Sequence, residues 1–298
     1  MGQIMSTLSS PIIFGEVLYD CFPDGTRILG GAPFNVAWHC QAFGLQPIFI
    51  SRIGDDELGL GVKSAMRDWG MKTDGLQIDP EHATGKVNVS FKNNEPFYDI
   101  VENSAWDFIE SKMLPELNKE SFLYHGSLAL RNPVAAESLN TIKRSVSNST
   151  FVDVNLRSPW WNLPFINNII NKCKWLKINS DELNLMVPDK RNTENKARYL
   201  FSHLQLDLIV VTRGANGAIA INENETCSVH PEKTVTITDT VGAGDAFTSV
   251  LVLGLHKKWS LQNTIDRAQQ FASEVVGLRG ATTQEKKFYQ PFIKNWSL

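Results

Sequence analysis

Apolar residues in this chain fall into short extended runs separated by longer stretches of helical period. Residues 11–18 read as a strand with Asp20 just past its carboxyl end, followed by the turn formers Pro23, Asp24 and Gly25. A helix is expected between Pro33, which suits a first helical position, and Gly44, which suits a stop. Residues 46–51 form a second core strand, and Asp55, Asp56 and Glu57 cap a helix that ends near Gly70. Between 84 and 101 the period changes. Val87, Val89 and Phe91 alternate, Asn93 and Asn94 turn the chain, and 97–101 resumes, which predicts a β-hairpin set into a βα series. Strands follow at 122–125, 150–154, 174–178, 206–211 and 219–221, with helices at 133–146, after Asn179, from Ala246 and over 261–278. This alternation predicts an α/β fold, a mainly parallel sheet flanked by helices, as one domain over 11–290. No repeat, low-complexity segment or long linker divides it.

Composition narrows the partners. The chain has 298 residues, 42% apolar and 20% charged, enough for a large core. Its 29 Lys and Arg against 32 Asp and Glu leave a net charge of −3, which favours a small-molecule partner over nucleic acid or an anionic membrane. Cys21, Cys40, Cys173 and Cys227 are scattered, without metal-site or redox spacing, and read as reduced thiols. No apolar run has the length of a membrane span and no secretory signal opens the chain, so a cytoplasmic location is expected. The start Met1-Gly2-Gln3-Ile4-Met5-Ser6 fits a loose myristoylation pattern, too short to change that expectation.

The candidate chemistry centres on Thr238-Asp239-Thr240-Val241-Gly242-Ala243-Gly244-Asp245-Ala246-Phe247. Gly242 and Gly244 permit a tight turn into a helix whose first N–H groups can hold an anion, and Asp245 in its first turn can take a proton from a hydroxyl. A structural turn with an N-terminal Asp is the alternative. Phe247 in place of a third glycine excludes a dinucleotide fingerprint, and no Walker lysine follows. At the other end of the chain, Gly30-Gly31-Ala32-Pro33-Phe34-Asn35 brings bare backbone and one amide to the start of a helix, while His39 reads as packed. Asp20 is a polyol contact or a solvated turn. Asp153, Asn155 and Arg157 end a strand in one region. Asn179 and Glu182 either cap a helix or sit near magnesium and phosphate. Thr212-Arg213-Gly214-Ala215-Asn216-Gly217 forms a loop along which a nucleotide can lie.

Together these pieces resemble the ribokinase-like (PfkB) carbohydrate kinases over nearly the whole chain. The Asp-Thr-Val-Gly-Ala-Gly-Asp-Ala-Phe segment is similar to the family's C-terminal signature. Gly30-Gly31-Ala32 with Asn35 and Ala37 is similar to its N-terminal one. The resemblance implies transfer of the γ-phosphoryl of ATP to a sugar hydroxyl, with Mg²⁺ on the phosphates. It makes Asp245 the base and the amides of Gly242, Ala243 and Gly244 the anion hole. It places Asp20, Gly30, Gly31, Asn35 and Arg157 on the sugar, Thr212, Gly214, Gly217 and Ala281 on the nucleotide side, and Asn179 with Glu182 near metal and phosphate. It also places Asp239 and Ala281 where some members hold a monovalent cation such as K⁺. Segments 17–30 and 84–103 would form a small β-sheet lid through which two copies pair. Gly15-Glu16-Val17-Leu18-Tyr19-Asp20 and Asp153-Val154-Asn155-Leu156-Arg157 look like fructokinase and 2-keto-3-deoxygluconate kinase. The lid strand 97–105 lacks the arginine those groups often carry and has Asp99 and Glu102 instead. A neutral ketose is therefore the expected substrate. A keto-deoxy sugar acid, a nucleoside and a non-catalytic sugar-binding role are the alternatives.

Overall fold

The apolar run at 11–18 does not stay in one sheet. In the computed structural model, which describes residues 9–92, 95–146, 149–231 and 241–298, strand β1 (Ile12–Phe14) ends at Gly15, and the chain re-enters a second sheet as β2 (Leu18–Cys21). Gly15 has φ +150°, and a Cβ there would lie 2.4 Å from Pro33 Cγ, so the crossing needs a glycine. Asp20 consequently lies within β2, not beyond the end of a core strand. Next come β3 (Arg27–Gly30) and α1 (Ala32–Ala42), whose Pro33 sits in the first turn as expected. The series continues with β4 (Ile48–Gly54), α2 (Glu57–Asp68), β5 (Leu76–Asp79), and the hairpin strands β6 (Gly85–Lys92) and β7 (Glu95–Ile100). Asp56 caps α2 by accepting from Gly59 N at 2.8 Å.

After the hairpin run β8 (Leu123–His125), α3 (Pro133–Ser145), β9 (Thr150–Asp153), α4 (Leu163–Ile170), β10 (Trp175–Asn179), α5 (Ser180–Met186) and α6 (Thr193–His203). The chain closes with β11 (Leu208–Thr212), β12 (Ala218–Asn222), β13 (Thr226–Val229), α7 (Ala243–Lys257), α8 (Leu261–Val275) and α9 (Lys286–Trp296). The large sheet has the order β13-β12-β11-β10-β9-β8-β1-β4-β5. Pairing is parallel from β11 through β5, and antiparallel at β11–β12 and β12–β13. The small sheet has the order β3-β2-β6-β7 and joins the predicted hairpin to the predicted N-terminal strand region. Asn93 and Asn94, assigned to the hairpin turn from sequence, lie outside the described residues.

Side chains one apart on a strand face opposite sides, and the two cores follow from that period. Ile13, Phe151 and Val210 pack on the side of α1, α7, α8 and α9. Ile12, Phe14, Val152, Ile209 and Val211 pack on the side of α3, α4, α5 and α6. Strands buried on both faces must be continuously apolar, which is why these segments stood out in the sequence. Growth of the sheet in both directions from β1 makes the β1–β8 boundary a topological switch point, and in open α/β sheets the ligand crevice is expected there, at the carboxyl ends of the strands.

Candidate active site

Helix α7 starts at that end of the sheet, without a side-chain cap on its first amides. Gly242 is its N-cap at φ +84°, and the first helical bond runs from Ala246 N to Gly242 O at 2.8 Å. A Cβ on Gly242 would lie 2.3 Å from Ala281 Cβ, so only glycine fits this turn against the loop at 281. The amides of Ala243 and Gly244 are the free donors of a helix N-terminus, and Gly244 is exposed. Asp245 stands in the first turn, partly exposed in the crevice. Its Oδ2 accepts a hydrogen bond from Asn35 Nδ2 at 2.8 Å, across 210 positions of sequence. Burial raises the pKa of Asp245 to about 6, against the opposing Asn35 bond. A carboxylate with that pKa is ionised near neutrality yet basic enough to receive a proton, as a general base requires.

Asn35 belongs to α1, whose start lies against the crossing from β1 to β2. A Cβ on Gly31 would meet Glu16 O at 2.7 Å, and one on Gly30 would sit 3.7 Å from Asn35 Oδ1 and 4.0 Å from Asp20 Oδ2. Asp20, Gly30, Gly31, Asn35 and Asp245 are therefore brought together. Glu16, which the motif reading passed over, joins them. It is buried, and burial pushes its carboxyl up to about 7, with Asp245 adding to the rise while Arg157 and Arg131 oppose it. Arg157 is exposed, and its charge reaches both Glu16 and Asp245.

Beneath α7 lies a closed polar group. Lys177 Nζ donates to Asp153 Oδ2 at 2.8 Å, and Thr248 Oγ1 lies 2.8 Å from the same oxygen. All three residues are buried. Burial lowers the pKa of Lys177, but the Asp153 carboxylate more than offsets it, so the ammonium stays charged. Asp153, expected at the strand end among the ligand-facing groups, is instead turned into this group. The reason is that its register partner on β10 is Lys177. Lys177 Nζ stands 3.8 Å from where a Cβ of Gly244 would be, which puts the buried Lys177–Asp153 pair under the start of α7.

Asn179 and Glu182 form a capping box. Asn179 Oδ1 accepts from the amides of Asp181 and Glu182, each at 2.9 Å. Glu182 Oε2 accepts from Asn179 N and its Oε1 from Leu156 N, each at 2.8 Å. The described residues contain no group of three metal-ligating side chains, and Glu182 has both oxygens occupied. They do not fit a magnesium ion held by the protein alone. Thr212 pairs with Asn179 in the parallel register of β11 on β10. Gly214 and Gly217 follow in a 3-10 turn, where Gly217 has φ +78° and no room for a side chain against Val229 O. Arg213, not singled out from sequence, has buried Nε and Nη2 atoms without a hydrogen-bond partner among the described residues. Ala281 lies against Gly242, and its carbonyl is 3.0 Å from His39 Nε2. Burial lowers the pKa of His39 to about 3, so it packs as a neutral ring, as read from sequence. Asp239 lies outside the described residues.

The acidic character expected of the strand before residue 105 is modified by its neighbours. Asp99 Oδ2 accepts from Asn88 Nδ2 at 3.2 Å, and Glu102 Oε1 accepts from Trp160 Nε1 at 3.3 Å. An arginine from another element lies beside the end of that strand. Arg131 is held by Asp107 through two 2.7 Å bonds, donates to Val101 O at 2.7 Å, and is stacked between Trp106 and Trp160. No sequence signal linked Arg131 to this region, because the contact depends on how the small sheet meets the large one.

Fold and site together define a ribokinase-like kinase. The chain belongs to the pfkB family of carbohydrate kinases, whose model matches residues 17–287. A fructokinase of Vibrio alginolyticus is 28% identical over 289 residues, covering 92% of each chain. An aminoimidazole riboside kinase of Salmonella typhimurium is 27% identical over 298 residues, covering 94% of this chain and 92% of that one. Among solved structures, fructokinase from Vibrio cholerae O395 in a form with fructose, ADP and calcium ion bound superposes with a TM-score of 0.81 at 26% identity. That match covers 96% of this chain and 99% of the other. Among the described residues, no helix is long and apolar enough to cross a membrane.

Proposed function

We propose that this chain transfers the γ-phosphoryl of ATP to a primary hydroxyl of a small neutral sugar, fructose or a related ketose. The observation that carries the reading is Asp245, raised to a pKa of about 6, bonded to Asn35 and standing at the uncapped start of α7. In the step, Asp245 takes the hydroxyl proton, the sugar oxygen bonds to Pγ, and the bond from Pγ to the bridging oxygen breaks to release ADP. The amides of Ala243 and Gly244 stabilise the transferring group. Phosphoryl transfer depends on alignment and charge stabilisation more than on covalent chemistry, which suits so small a set of groups. Thr212, Gly214 and Gly217 line the nucleotide side. Mg²⁺ enters on the phosphates of ATP, since such ions keep several waters and few protein ligands. The small sheet closes over the acceptor as a lid. Phe97, 62% exposed on β7, is the apolar surface through which two copies pair.

A neutral acceptor is favoured because the oxygens of Asp20 and Asn35 face the place a Cβ of Gly30 would take, while Arg131 is already paired with Asp107. The riboside kinase relative supports a second reading, a riboside acceptor. ADP release with ATP and Mg²⁺ over neutral sugars, sugar acids, sugar phosphates and ribosides tests both. Turnover of a ketose above the rest is the expected result. Binding without turnover across the panel would leave a sugar-binding protein in place of a kinase.

A further inference from the structure

The buried carboxylates among the described residues are Glu16, Asp79, Asp107, Asp153 and Glu182. Four of them have partners. Asp79 pairs with Arg52, Asp107 with Arg131, Asp153 with Lys177, and Glu182 accepts two backbone amides. Glu16 differs. It is 4% exposed, and its Oε2 has no hydrogen-bond partner among the described residues. In the first turn of α1, whose N-cap Gly31 packs against the backbone of Glu16, the Oδ1 of Asn35 is also buried and also without a partner among the described residues, while the Nδ2 of the same amide is bonded to Asp245. Leaving a buried acceptor without a donor costs about 1–3 kcal/mol, more for a charged group, and a ligand or ordered water that supplies the donor relieves it.

We propose that Glu16 is an acceptor-binding residue, whose carboxylate oxygen receives a hydrogen bond from one hydroxyl of the bound sugar and thereby selects which sugars are phosphorylated. The inference rests on the sugar-kinase reading above and names a contact that reading does not contain. Backbone geometry fixes the position. Gly15 lies against Pro33 and Gly31 against Glu16 O, so residues 15–17 and the first turn of α1 form one wall. Asn35 on that wall touches the base directly. A polyol supplies hydroxyl donors to both open oxygens, whereas the facing charges, Asp245, Arg157 and Arg131, supply no bond to Glu16 Oε2. Such a site favours a polyhydroxyl ligand over an anion.

The test is a cycle between residue and substrate. kcat and KM are measured for the wild type, Glu16→Gln and Glu16→Ala with the preferred sugar and with each of its monodeoxy analogues. For Glu16→Ala we expect kcat/KM to fall on the order of 10–100-fold on the parent sugar, mainly through KM, as for loss of a charge-assisted bond. One deoxy analogue should be poor for the wild type and lose nothing further in the variant. Equal penalties at every position in wild type and variants would overturn the proposal and make Glu16 a residue that holds water. If Glu16→Ala does not fold, the isosteric Glu16→Gln runs the same cycle with the same criterion. A wild type that turns over no sugar at all would sink the kinase reading itself, which is a different outcome from a working kinase without the coupling.

Discussion

The two walls of the crevice are built on opposite plans. On the side of β9, β10 and α7, polar groups close on one another: Asp153 with Lys177 and Thr248, Asn179 with Glu182, Glu182 with the amide of Leu156. On the side of β1, β2 and α1, Glu16 and Asn35 keep buried oxygens open. A satisfied network is rigid before any ligand arrives, which suits the part proposed to hold a transferring group in place. An unsatisfied pair stores a cost that a ligand relieves, which suits the part proposed to choose an acceptor. Arg213 is the exception on the closed side, with two buried guanidinium nitrogens unpartnered among the described residues.

The largest effect should come from breaking the closed wall. Lys177→Met leaves Asp153 as an unpaired buried charge and should destabilise the fold by about 3–5 kcal/mol in denaturant unfolding. A change below ~1 kcal/mol would mean that the network is not structural. Next, Asp245→Asn should lower kcat by about 10²-fold or more with sugar binding nearly intact, since the shape survives and the base does not. Near-normal turnover would remove Asp245 from its role.

The pH dependence follows from two carboxyls. Asp245 as base and Glu16 as sugar acceptor both act ionised, so kcat/KM should rise with pH through about 6 and level off only above about 7. Glu16 has a folded pKa of about 7 against 4.5 as its ordinary value. Its contribution to stability is therefore complete below pH 4.5 and lost as pH rises through 7, by up to ~3 kcal/mol at one pH unit per 1.36 kcal/mol. Thermal unfolding of Glu16→Gln should lack that loss, whereas parallel curves for wild type and variant would show Glu16 to be paired. The smallest effect is expected of Arg213→Ala, a several-fold rise in KM for ATP with KM for sugar unchanged, on the order of one charged hydrogen bond. An unchanged KM for ATP would leave the closed wall without its exception.

Much of this was legible in the chain. The parallel strands announced themselves as short apolar runs because both of their faces are buried, and α1 was delimited by Pro33 and the glycine after it. Asp245, Gly242 and Asn35 were found because a helix that starts on glycine carries its signal within a few residues. What escaped were short edge elements such as β13, four residues long, and β5, whose alternation covers too few positions to stand out. The break after Phe14 escaped too. Hydrophobicity continues through Val17 and Leu18, and only the approach of Pro33 to Gly15 shows that the strand must leave its sheet.

Sequence by itself determined the alternation of elements, the glycine turns at 31 and 242, and the carboxylate at 245 in the first turn of a helix, because each depends on backbone preferences and periodicity within one turn or strand. Tertiary structure alone decided that Asn35 holds Asp245, that Asp153 turns to Lys177 instead of the crevice, and that Glu16 is left open beside them. Those outcomes depend on strand order and on where the sheet reverses direction at β1 and β8, which bring together residues that share no local signal.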